Sequence, residues 1–165
     1  MKPETWAPHV TVAAVVERDG RFLLVEERTP AGLRLNQPAG HLEAGETLTQ
    51  AVVRETLEET AQSFVPAALV GVYMTHFSRP DTVDGPQDGV TYLRFTYCGS
   101  THGEPPEARA LDPDIVRTVW MSADELRACP ERHRTPLVMQ CIDDYLAGRR
   151  FPLDFVQTHS VGPSR

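Results

Sequence analysis

Three glutamates, Glu55, Glu58 and Glu59, fall within five residues of one another in the stretch RETLEET. Carboxylates this close repel, and a hard divalent cation relieves them directly. Mg2+ and similar ions select carboxylate and carbonyl oxygens and keep some water ligands for exchange. No Gly or Pro occurs from Leu48 to Thr60, and Thr47 can cap, so the stretch is expected to be a helix. A helix advances by about 100 degrees per residue, which puts Glu58 near about −60 and Glu59 near about +40 degrees from Glu55, on one face. Val53, Leu57, Thr60 and Ala61 fall at roughly 140–240 degrees, an apolar back expected to bury against a sheet while the acids face outward. Like charges at these spacings cost roughly 0.2–0.5 kcal/mol per pair. No Lys occurs from Glu43 to Gln62, and Arg54 is the one basic side chain in that span. By itself such a helix suits a solvated acidic face as well as a metal site.

The rest of the chain supplies strands to hold that helix. HVTVAAVV and RFLLVEER flank Asp19-Gly20, a strong hairpin dipeptide, so the chain is expected to open with a β-hairpin. Thr29 to Gly40 reads as a loop punctuated by Pro and Gly, with a short strand near Leu33 to Leu35. Ala67 to Met74, Val90 to Cys98 and IVRTVWM read as strands. Long polar connections run from His76 to Gly89 and from Thr101 to Asp114, and loops of such length in a compact domain are more often functional than accidental. Ser122 with Glu125 forms a capping box for a short helix, and Thr135-Pro136 opens a last helix that Gly148 ends. At 165 residues the chain is expected to be one domain, with a core over residues 8–153 and frayed ends.

Composition narrows the class. Apolar residues at 41% and charged residues at 24% exclude a disordered or fibrous chain. No apolar run approaches the roughly 20 residues of a membrane span. A formal charge of −7 argues against a nucleic-acid polymer as partner. Cys98, Cys129 and Cys141 are odd in number and lack CxxC spacing, which suggests no disulfide framework or zinc site and favours a cytoplasmic setting.

Gly40, Glu46, Arg54, Glu55, Glu58 and Glu59 together resemble the Nudix box: Gly, five residues, Glu, seven residues, then Arg-Glu, an aliphatic, any residue and Glu-Glu. All six intervals hold. Thr56 replaces the usual aliphatic, Ala61 the usual Gly and Gln62 the last aliphatic, all packing or helix-ending positions. PHVTVAAVV, LNQPAGHLEAGETL, TYLRFTY, VWMSADEL and TPLVMQCIDDYLAGRRFPL are further similar to the NudJ-type branch of that family. The resemblance implies an α/β sandwich with a mixed sheet between the motif helix and the last helix. It also implies hydrolysis of nucleoside diphosphates linked to another group, by a monomer or homodimer. In the branch, it implies a phosphatase acting on nucleoside tri- and diphosphates and on hydroxymethylpyrimidine diphosphate. The rival expectations are a pyrophosphatase of ADP-ribose, a dinucleoside polyphosphate or an oxidised nucleotide, and a catalytically silent binding module.

For the site, the resemblance implies that Glu55, Glu58, Glu59 and the Gly40 carbonyl hold Mg2+ or Mn2+ beside a substrate diphosphate. It also implies that Arg54 orients a neighbouring glutamate. Glu58 is the expected general base, with Glu55 and Glu46 as alternatives. Asp112 and Asp114 are candidates for a further oxygen ligand, Asp114 being the one carried forward, although Asp112-Pro113 equally suits a plain turn. Tyr73, His76, Phe77 and Arg79 are candidates to meet the base or a phosphate. Arg149 and Arg150 are candidates either to meet phosphates or to complement the C-terminal end of the last helix, whereas His41 and His9 carry no catalytic role.

Overall fold

The computed structural model describes residues 6–77, 89–103 and 110–160. In chain order these form β1 (His9–Arg18), β2 (Arg21–Thr29), β3 (Gly32–Asn36), β4 (Ala39–His41), α1 (Leu48–Thr60), β5 (Ser63–Phe77), β6 (Val90–His102), β7 (Ile115–Ser122), α2 (Ala123–Arg127) and α3 (Leu137–Leu146). The opening turn is the expected one: Asp19 and Gly20 both have positive φ, 52° and 74°, as a two-residue hairpin of the primed type requires. The sheet runs β3-β2-β1-β6-β5, with β4 added to β1 and β7 to β2. It is mixed because β1 pairs in parallel with β6, from His9 opposite Tyr92 to Val16 opposite Gly99, while the other pairings are antiparallel.

Period-two alternation along β1 divides the core into two layers. Val12, Ala14 and Val16 pack with Ala51 and Val52 of α1, whereas Val15 points to the opposite side, into a cluster with Val138 and Ile142 of α3. The motif helix and the last helix therefore cover opposite faces of the sheet, as the α/β sandwich requires.

Several elements differ from the sequence reading. β4 was hidden by Pro38 and Gly40, yet it pairs with β1 through Thr11–His41, Val12–Gly40 and Ala13–Ala39. β5 and β6 are longer than the expected Ala67 to Met74 and Val90 to Cys98, because pairing continues out to Phe77–Val90 and back to Ser63–His102. Pro66 is tolerated because β5 is an edge strand and the register shifts there.

The largest correction concerns α1. Its buried stripe is Ala51, Val52, Glu55, Thr56, Glu59 and Thr60, so two of the three acids lie inside and Val53 and Leu57 remain part-exposed. Small and hydroxyl-bearing residues dock this helix. The hydroxyls need no outside partner, since Thr56 Oγ1 donates to the Val52 carbonyl at 2.7 Å and Thr60 Oγ1 to that of Thr56 at 2.6 Å. Thr47 and Gln50 close a reciprocal capping box at the N-terminus.

At the other end Ala61 is left-handed, φ 57°, with its N–H donating to the Leu57 carbonyl. An alanine in that conformation is strained by about 1–2 kcal/mol, partly offset by the extra chain entropy of a glycine when unfolded. Ala61→Gly is therefore expected to stabilise the protein by about 0.5–1 kcal/mol in urea unfolding. An unchanged or lower midpoint would show that this cap stores no strain.

Candidate active site

The site begins with a close approach. β4 lays Gly40 so near α1 that a Cβ there would fall on the Glu55 carboxylate and displace it. One residue earlier, the Ala39 N–H donates to Glu59 Oε2 at 2.9 Å, which ties β4 to the helix a second time. Glu55 and Glu59 are 8% and 7% exposed, and burial sets their acidity. It pushes Glu59 up to about 9 against the opposing Ala39 hydrogen bond, and it raises Glu55 despite the nearby Arg54.

Arg54 ties the remaining acids together. Its Nε donates to Glu46 Oε1 at 2.6 Å, Nη2 to Glu46 Oε2 and the His41 carbonyl at 2.9 Å each, and Nη1 to Glu55 at 2.7 Å and Glu58 at 3.1 Å. The fork on Glu46 is bidentate, and it holds that carboxyl below its ordinary range while raising the guanidinium. The expectation that Arg54 orients neighbouring glutamates thus has a geometry, with Glu46 as its main partner.

A second segment completes the acidic cluster. The Asp112 N–H donates to the Glu58 carbonyl at 3.1 Å, while the Asp114 carbonyl accepts from Arg28 N–H at 2.8 Å, so the Asp112-Pro113-Asp114 turn is pinned between α1 and β2. One ligand oxygen from each of Glu55, Glu58 and Asp112 lies within 4.8 Å of the others. The loop acid placed with the helix is Asp112; Asp114 instead lines the neighbouring cleft. The proline turn and the clustered carboxylate coexist at Asp112, a combination the sequence reading treated as a choice. An all-oxygen donor set of this size fits a hard divalent cation.

Beside the cluster opens a cleft of about 540 Å³, with Gly40 and His41 on its rim. Among the substrate candidates, Phe77 lines it, but Tyr73 and His76 do not. The Tyr73 hydroxyl donates to Asp144 at 2.8 Å and the ring packs into the α3 layer, while His76 Nδ1 pairs with Thr91 Oγ1. Arg79 lies outside the described residues. The cleft is built largely from residues the sequence reading passed over: Glu27, Asn36, Tyr92, Arg94 and Arg134. Their signal was weak because they come from strands or loops distant in sequence, and only β2, β3 and β6 pairing brings them together.

Comparison with known proteins decides the family. The model of the NUDIX domain matches residues 7–139. The chain belongs to the NUDIX family. It is 40% identical over 149 residues to "Phosphatase NudJ" of Escherichia coli strain K12, covering 90% of each protein. A NUDIX hydrolase from Nitrosomonas europaea is 52% identical, with a TM-score of 0.81 over 93% of this chain and 98% of that one. A MutT NUDIX hydrolase from Burkholderia pseudomallei is 25% identical, with a TM-score of 0.66 over 84% and 98%. This chain is accordingly a NUDIX hydrolase, of a family that generally uses divalent metal, and its relatives include a phosphatase. Among the described residues, no helix is long and apolar enough to cross a membrane.

The buried Glu59 makes a pH test possible. Between its ordinary value of 4.5 and about 9, the folded metal-free protein holds a proton there that the unfolded chain releases, so stability must fall as pH rises through that window. The thermal midpoint of metal-free protein should drop from about pH 5 to about pH 9, and Glu59→Gln should flatten the slope. A flat wild-type profile would count against a proton-holding Glu59.

Proposed function

We propose that this NUDIX hydrolase is a Mg2+-dependent phosphatase that releases orthophosphate from nucleoside tri- and diphosphates and from small diphosphates such as hydroxymethylpyrimidine diphosphate. The observation that carries the reading is the meeting of Glu55, Glu58 and Asp112 oxygens within 4.8 Å at the edge of a cleft large enough for a nucleotide. The likeness to a protein named as a phosphatase supports the orthophosphate product. Glu55, Glu58 and Asp112, with the Gly40 carbonyl, would hold Mg2+ or Mn2+. When bound, such an ion neutralises phosphate charge and lowers the pKa of an attacking water.

The chain's own groups divide the remaining work. Glu59 anchors the backbone that carries Gly40, and once deprotonated it would offer a further oxygen to the ion. Glu46 is committed to Arg54 through two hydrogen bonds, which leaves it poorly placed as a base. The Glu55 side chain is 11% exposed and paired with Arg54 at 2.7 Å. Glu58 is 35% exposed and held by the longer contact of 3.1 Å, so water reaches its carboxylate most readily. Glu58 is therefore the general base, taking the proton of the attacking water while Arg54 keeps its carboxylate aimed.

Phosphate release is the direct test. Wild-type protein with Mg2+ should liberate orthophosphate from nucleoside tri- and diphosphates and from hydroxymethylpyrimidine diphosphate. Glu58→Gln should lose about 100-fold or more of kcat while keeping the wild-type circular dichroism. Near wild-type activity in the variant would sink the role given to Glu58. Pyrophosphate as the product, or turnover of ADP-ribose in place of these substrates, would replace the phosphatase assignment.

A further inference from the structure

Beside the acidic cluster stand four rings that the core does not use. The Tyr92 ring centroid lies 5.5 Å from that of His9, 5.6 Å from Phe77 and 6.0 Å from His41, and His9 meets His41 at 5.7 Å. None of the four belongs to or packs against either hydrophobic cluster of the described residues, whereas Tyr73, Tyr97 and Tyr145 all do. Phe77 is 43% exposed, His9 and His41 are exposed, and Tyr92 is half-buried. Ring surface gathered in a cleft and left open to water marks a ligand site more than a packing site.

Strand register brings these rings together. Residues opposite one another in neighbouring strands project from the same face of a sheet, as do residues two apart in one strand. Thr11 stands opposite His41, His9 opposite Tyr92 and Val90 opposite Phe77, so the four rings share one face. The cleft opens on that face, with His41, Tyr92 and Phe77 in its lining. Gly40, one residue before His41, takes the other face and lies against Glu55. The His41 carbonyl accepts from Arg54 Nη2 at 2.9 Å, so the row of rings begins where the acidic cluster ends. A substrate with its phosphates at that cluster would lay its organic part along the rings. What such a row recognises is another flat ring. Stacking is open to every base, because each has a π face, and it reads none of the edge groups that tell bases apart.

We propose that Tyr92, flanked by His41 and Phe77 and braced by His9, is the platform on which the heterocycle of the substrate stacks, selecting for a ring without selecting among bases. The proposal rests on the phosphatase reading for the position of the phosphates.

The test measures kcat/KM with Mg2+ for ATP, GTP, CTP, UTP and the ring-free tripolyphosphate in wild type, Tyr92→Phe and Tyr92→Leu. Wild type should favour each nucleotide over tripolyphosphate by about tenfold or more, with the four nucleotides within about fivefold of one another. Tyr92→Phe should keep that ratio. Tyr92→Leu, which retains apolar bulk but has no π face, should bring it to within about threefold, mainly through KM. Equal use of tripolyphosphate and nucleotides by wild type, or a ratio kept in Tyr92→Leu or lost in Tyr92→Phe, would overturn the proposal. So would a preference above about tenfold for one base. Should Tyr92→Leu fail to fold, His41→Ala, at an exposed position, should lower the ratio by at least about threefold, and an unchanged ratio would overturn the platform equally. Calorimetric binding of AMP and of ribose 5-phosphate reads the platform without turnover. Binding of AMP tighter by about tenfold in wild type and lost in Tyr92→Leu, with no nucleotide hydrolysed, would sustain the platform and reject the hydrolase chemistry. Hydrolysis with no preference for a ring would do the reverse.

Discussion

One guanidinium surrounded by carboxylates is the constraint on which the site depends. Arg54 contacts Glu46, Glu55 and Glu58, and Asp112 brings a further acid to the same place. A single positive charge cannot neutralise that set, and partial burial makes the surplus more expensive than it would be in water. Charge held at such cost in a cleft is a mark of function more often than of stability. This is the arrangement we propose as a cation site, and Arg54 keeps it in shape.

The fold is organised to keep that surplus in place. The pairing of β4 with β1 sets Gly40 against Glu55, and the Ala39 N–H fixes Glu59 from the same three-residue strand. α1 can come this close because its inner stripe is made of Ala, Val, Thr and two glutamates, with the threonine hydroxyls satisfied inside the helix itself. Thr56, at a position usually aliphatic in the motif, is fully buried and costs no unmet hydrogen bond. β2 and β6 carry Glu27 and Arg94 into the cleft beside the acids.

Local pattern made much of this legible. The Asp19-Gly20 hairpin, the Thr47 and Ser122 caps and the span Leu48–Thr60 follow from short-range rules, and the structure has them where those rules put them. Helical spacing also gave the shared face of the glutamates, but it misjudged which way that face points. Polarity was taken to mean exposure, and a site that buries carboxylates for use breaks that rule. β4 escaped notice because three residues around a glycine carry no strand signal; β1 supplies the pairing. The sequence reading carried Asp114 forward as the further ligand, whereas the fold sets an Asp112 oxygen with Glu55 and Glu58 and leaves Asp114 on the cleft. The cleft residues were least legible of all, since strand register brings them together from segments far apart in the chain.

The most direct measurement of the central claim is an anomalous-difference map from crystals grown with Mn2+. The account predicts a peak coordinated by Glu55, Glu58 and Asp112 oxygens at about 2.0–2.3 Å, with Arg54 still bound to Glu46. A peak elsewhere, such as at Asp114, or no peak at saturating Mn2+, would contradict it.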